Sequence, residues 1–131
     1  MNQSFPPMSV LRTLKSFRVE VDISGLCLKQ PVINLESISK AIDKIVNPSQ
    51  CTTVVDAILR CRVTIIQVTP EGFAYTVALS VMSPVPGFSA SELFIVWTYL
   101  TYGSIDALRV GLEVEQAAAD VARLLAARLK Q

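Results

Sequence analysis

The sequence predicts an α+β fold, a mainly antiparallel sheet with helices packed on one face, and three observations lead there. Residues 73–82 alternate strictly, with Phe73, Tyr75, Val77, Leu79 and Val81 on one side and Ala74, Thr76, Ala78 and Ser80 on the other. That is the period of a half-buried strand. A Pro70-Glu71-Gly72 turn joins this run to the apolar stretch Cys61–Val68, so the two read as a hairpin. Two further segments, 35–46 and 116–130, repeat apolar residues at helical spacing and would cover one face of the sheet.

Taken in order, residues 1–16 read as a loose basic arm interrupted by Pro6 and Pro7, and 17–131 as one globular domain. Residues 17–26 set Val19, Val21 and Ile23 against Arg18, Glu20 and Asp22, a strand closed by Gly25. Asn34 is placed to cap a helix carrying Leu35, Ile38, Ala41, Ile42 and Ile45, which Asn47-Pro48 ends. A short helix is expected from Thr53, with Asp56 completing a capping box ahead of Ile58 and Leu59. Residues 83–87 form a Pro/Gly loop. Beyond it the signals conflict. Ser89 and Glu92 make a second capping box, while Phe94-Ile95-Val96-Trp97-Thr98-Tyr99 has strand propensity. The cap and the closing Gly103 favour a helix over 90–102. Leu108, Val110, Leu112 and Val114 alternate with polar neighbours and predict a strand over 107–114. The alanine-rich segment after it has acids early and Arg123, Arg128 and Lys130 late, which suits a helix macrodipole.

Composition excludes several chemistries. The chain has 131 residues and no histidine, so Ser-His and Cys-His nucleophile pairs and mixed Cys/His zinc sites are ruled out. Cys27, Cys51 and Cys61 form no C-x-x-C pair, which leaves neither a zinc ribbon nor a dithiol motif and suits a reducing compartment. Serines occur in no G-x-S-x-G elbow, and the acids fall at helix starts, on strands or in turns. We therefore expect no catalytic residue, no cofactor and no metal. Twelve basic residues against eleven acidic ones give a net charge of +1, which predicts no global pull toward nucleic acid, and no sequence-specific binding to it is expected. Trp97, Tyr99 and Tyr102 have the side chains for stacking but read more simply as core.

The chain is 51% apolar, yet no apolar run approaches the roughly 20 residues that span a bilayer. The surplus points to a surface buried against a partner. Two segments are candidates for it. Arg12, Lys15 and Arg18 carry the arm's charge without an acid among residues 1–18, so they are the candidate contacts for an anionic membrane or an acidic partner. Phe5, Met8, Leu11 and Leu14 in the arm, with Val85 and Phe88 in the proline loop, are the candidate anchors for self-association. Phe5-Pro6-Pro7-Met8 also has polyproline character. The arm has no continuous apolar core or A-x-A site, so it does not read as a secretory signal.

The run from strand 17–23 through Pro31, helix 35–45 and Val54–Leu59 resembles the folded core of rhabdovirus matrix proteins. Later, Trp97 followed by Ala107-Leu108-Arg109-Val110-Gly111-Leu112-Glu113-Val114-Glu115 is similar to an A-L-x-x-G-L-x-V-E run after a tryptophan in vesiculovirus-type members. The resemblance covers about residues 17–115, by pattern more than identity. It implies a non-enzymatic structural protein whose copies associate into a layer linking a viral nucleocapsid to a membrane, in the virion or peripherally at a membrane within the cell. Arg12, Lys15 and Arg18 would correspond to a membrane-facing arm. The departures are a proline pair followed by Met8 rather than a tyrosine motif, a weakly basic arm, a shorter chain and an unmatched C-terminal helix. A small cellular adaptor, or a domain holding an apolar ligand between sheet and helices, is the alternative.

Overall fold

The computed structural model describes residues 13–25, 33–47, 57–85, 87, 89, 92–106 and 109–130. Their elements run β1 (Phe17–Ser24), α1 (Leu35–Val46), β2 (Ala57–Gln67), β3 (Gly72–Ser83), β4 (Phe94–Asp106) and α2 (Val110–Leu129). The strands form one four-stranded sheet in the order β1-β2-β3-β4. β1 and β2 are parallel, joined through α1, while β2–β3 and β3–β4 are antiparallel. The fold is α+β, as the alternation predicts.

Period 2 decides which side of the sheet is buried. Ala57, Leu59, Cys61, Val63 and Ile65 of β2 and Phe73, Tyr75, Val77, Leu79 and Val81 of β3 face inward, all at most 9% exposed. They meet Ile38, Ile42 and Val46 of α1 and Val110, Val114, Ala118, Val121, Ala122 and Leu125 of α2 in one continuous cluster. Each large side chain in it gains about 1.5–3 kcal/mol from burial. The opposite face of the sheet carries no helix among the described residues.

Local chemistry fixes the ends. Asn34 Oδ1 accepts from the Ser37 N–H at 3.0 Å and caps α1, as expected. At the other end Asn47 does more than stop the helix. Its Oδ1 accepts from the Phe17 N–H at 2.9 Å, and its Nδ2 donates to the Phe17 carbonyl at 2.8 Å and to Asp43 Oδ1 at 2.7 Å. Asn47 thus pairs with the first residue of β1 as a strand would. Ser37 Oγ donates to Glu115 Oε1 at 2.5 Å and ties α1 to α2. Gly25, at φ +134°, leaves β1 where a Cβ would stand 1.8 Å from the Ile65 carbonyl oxygen, so no other residue fits.

Three expectations are corrected. Residues 94–106 form β4, not a helix, because the β-branched and aromatic run pairs along all of β3. The Ser89 signal makes only a turn, in which the Glu92 N–H donates to the Ser89 carbonyl at 3.0 Å. Residues 110–114 begin α2 rather than ending a strand. Val110 and Val114 are buried one helical turn apart, while Leu112 is 72% exposed. Finally, Ile58 and Leu59 lie in β2, where strand pairing on both sides overrides the Thr53 capping box. Residues 51–56 lie outside the described residues.

Candidate functional site

The uncovered face of the sheet and its β4 edge form the candidate interface. In register order, one row across this face reads Glu20, Arg60, Ser80, Thr98 and the next reads Asp22, Arg62, Ala78, Leu100. The face therefore grades from charged at β1 to apolar at β4. On the β1 side, Glu20 pairs with Arg18 at 3.1 Å and Arg60 at 3.4 Å, and Asp22 pairs with Arg62 at 3.2 Å. On the β4 side, Ile95, Leu100 and Tyr102 are 63%, 55% and 77% exposed. Between them β3 contributes Ala74, Thr76, Ala78, Ser80 and Met82, mostly small side chains. Ile66 of β2 extends the patch.

β4 is thirteen residues long and has no charged side chain before Asp106, its last residue. Its pairing with β3 is regular from Trp97 to Asp106, after an irregularity opposite Val81/Met82. On the helix-covered side Trp97 and Tyr99 stack with ring centroids 6.3 Å apart. Gly103 stands opposite Tyr75, whose ring crosses the space a Cβ would fill, with its hydroxyl 2.7 Å from that position.

Beside this edge, under α2, lies a half-open cavity of about 240 Å³ lined in part by Tyr75, Tyr99, Thr101, Glu113 and Asp120. Burial, with the nearby Glu113 carboxylate second, pushes the Tyr75 hydroxyl's pKa up. Asp120 accepts from Gln116 at 2.9 Å and pairs with Arg123 at 2.8 Å. Glu113 sits in the first turn of α2, where the helix dipole favours it. Ala117, Val121 and Leu124 complete the lining, which is thus mixed polar and apolar. Among the described residues, no three or more Cys, Asp or Glu gather as a metal site.

Cys61 is fully buried beneath the β1–β2 pair, and burial, with Asp22 second, pushes its thiol from an ordinary 9.0 up to about 12. Such a thiol is neither a nucleophile nor a ligand at neutral pH. Cys27 and Cys51 lie outside the described residues.

The structure describes only some of the residues singled out from sequence. Phe5, Met8, Leu11, Arg12 and Phe88 lie outside the described residues. Leu14, expected in the arm as a self-association anchor, is 9% exposed and belongs to the core, and Ser16 beside it is 6% exposed. The core therefore includes Leu14, within the stretch read as the arm. Val85, expected as a loop anchor, is half-buried against the core. Both face inward because apolar side chains next to a forming core gain more by joining it. Lys15 is exposed, and Arg18 is paired with Glu20. Sequence reasoning misses Ile95 and Leu100, and it reads Tyr99 and Tyr102 as core although both are exposed. Their signal lies in the uncharged run from Phe94 to Ile105, once that run is taken as a strand. No helix among the described residues is long and apolar enough to cross a membrane. No protein-family model matches the chain, and no curated protein matches it in sequence.

Proposed function

We propose that this chain is a non-enzymatic assembly protein whose copies associate through the uncovered side of the sheet. One observation carries the reading: a long edge strand without a charged side chain until its last residue, itself carrying the exposed Ile95, Leu100 and Tyr102. Edge strands in proteins that stay apart are shortened, charged or covered, because their free backbone groups pair readily. The side chains on β4 make the same demand, since contiguous exposed apolar surface marks an interaction site. A layer-forming matrix role between a nucleocapsid and an anionic membrane is the specific form of this reading. It rests on the sequence resemblance, with Arg12 and Lys15 as the membrane contacts.

Static light scattering of the full chain over a wide concentration range tests assembly, and co-sedimentation with phosphatidylserine or phosphatidylcholine vesicles tests the membrane. Mass that rises with concentration, and salt-sensitive binding to the anionic vesicles alone, are expected. A chain that stays monomeric throughout refutes the reading. Deleting residues 1–12, which leaves Leu14 in the core, should reduce vesicle binding and spare assembly.

A further inference from the structure

The edges of the sheet differ in the way that decides which one accepts another strand. β1 is eight residues long, and on the uncovered face it carries Arg18, Glu20 and Asp22, held in ion pairs with one another and with Arg60 and Arg62. A strand arriving there would have to displace or desolvate those pairs. β4 offers a regular uncharged stretch from Trp97 to Ile105. In such an edge every second residue directs both its N–H and its C=O outward. Nine residues of it span about 30 Å.

We propose that a second copy of this chain pairs antiparallel with β4 across a two-fold axis at Thr101, making one continuous eight-stranded sheet from the two four-stranded ones. This pairing rests on the assembly reading and gives it a specific contact. Centring the pair on Thr101 keeps the whole stretch Trp97–Ile105 in register with its copy. It also sets Leu100 of each copy opposite Tyr102 of the other, on the uncovered face, so the two apolar patches join. Because Leu100 and Tyr102 exchange places across the axis, the surface is self-complementary, as a two-fold contact requires.

Charge favours the antiparallel orientation. Asp106, the first charge on β4, falls at opposite ends of the antiparallel pair in the two copies, about 30 Å apart and beyond the screening length at physiological salt. A parallel arrangement would bring the two Asp106 carboxylates side by side. The outward backbone groups gain partners at the same moment that neighbouring apolar side chains leave water, so neither step strands an unpaired polar group. A single strand pair buries area at the low end of specific interfaces, below about 1,200 Å². The contact is accordingly weak and closes on itself, so a layer needs a second contact between such dimers.

The test uses the full-length chain. Directly opposed residues of an antiparallel pair have Cα atoms about 4.5–5.5 Å apart, within disulfide reach. Thr101→Cys should therefore give a disulfide-linked dimer under mild oxidation, many-fold above wild type and above Ser24→Cys on the β1 edge. Amide hydrogen exchange of the unmutated chain gives a second readout. Alternate amides of β4 should slow as concentration rises, while those of β1 stay unchanged. Oligomers that form with no Thr101→Cys dimer and no concentration-dependent protection of β4 would overturn the pairing and leave the assembly reading standing. A chain monomeric at every concentration overturns both.

Discussion

The outer strands β1 and β4 belong to one sheet and carry the same backbone chemistry, yet they expose opposite surfaces. β1 is short, is held at its start by Asn47, and places Arg18, Glu20 and Asp22 on the face away from the helices. β4 is more than half as long again, and Ile95 and Leu100 stand in the rows where β1 has Arg18 and Asp22, with Tyr102 in the row of Ser24. The backbone of an edge invites pairing, and the side chains on it decide whether pairing happens. In this molecule one edge carries charge and the other carries apolar side chains, so the proposed association would use β4.

The largest expected effect lies in the core under the sheet, and Cys61 reports it. The folded state raises this thiol from 9.0 to about 12, so it holds the proton more tightly than the unfolded chain does. Its contribution to stability is complete below the unfolded value and is lost as pH rises toward the folded one. Between about pH 8 and pH 11 the wild type should lose about 3 kcal/mol more than Cys61→Ala, since a tenfold change in proton affinity is worth roughly 1.4 kcal/mol. Urea midpoints of the two proteins across that range check this, and equal slopes would mean that the core does not hold the thiol away from water. In the native state at neutral pH, Cys61 should also stay unmodified by a thiol reagent.

Asn47→Ala comes next. It leaves the N–H and C=O of Phe17 without side-chain partners at the start of β1, at a cost of about 2 kcal/mol. Denaturant unfolding measures it, and the exchange of β1 amides should quicken while β4 is unaffected. Replacing Arg18, Glu20 and Asp22 together by threonine removes the charges and should open a second association edge. The readout is mass by light scattering, larger than wild type at equal concentration, with stability nearly unchanged. Glu20→Gln alone is the smallest change. Its ion pairs are partly exposed, so stability should fall by less than about 1 kcal/mol and the difference should shrink in salt. A loss of several kcal/mol would show that the pairs hold the strand rather than close the edge.

Much of this contrast is legible in the sequence on the β1 side and little of it on the β4 side. Strand 17–24, helix 35–46 and the β2–β3 hairpin follow from periodicity and caps, because their local signals agree with their tertiary setting. The candidate site is hidden where local signals disagree. Ser89 and Glu92 imitate a helix start, and Gly103 imitates a helix stop, although its lack of a side chain serves the Tyr75 ring across the strand pair. Alternation over 107–114 misleads for another reason. Val110 and Val114 satisfy both period 2 and the i, i+4 spacing, and only the continuing stripe through Ala118, Val121, Ala122 and Leu125 separates them. Leu14 reads as part of the arm because nothing in its neighbours shows that the core begins there.

Sedimentation velocity of the full chain beside the double variant Leu100→Lys, Tyr102→Lys tests most directly whether β4 is the associating edge. Both positions are exposed in the monomer, so folding stability should be unchanged. Placing lysines opposite each other across the contact and removing the apolar burial should weaken association on the order of a hundredfold, from about 3 kcal/mol of lost burial. The wild-type sedimentation coefficient should climb with concentration, and the variant should stay at the monomer value over the same range. A variant that assembles like the wild type, or a wild type that never leaves the monomer value, would contradict β4 as the associating edge.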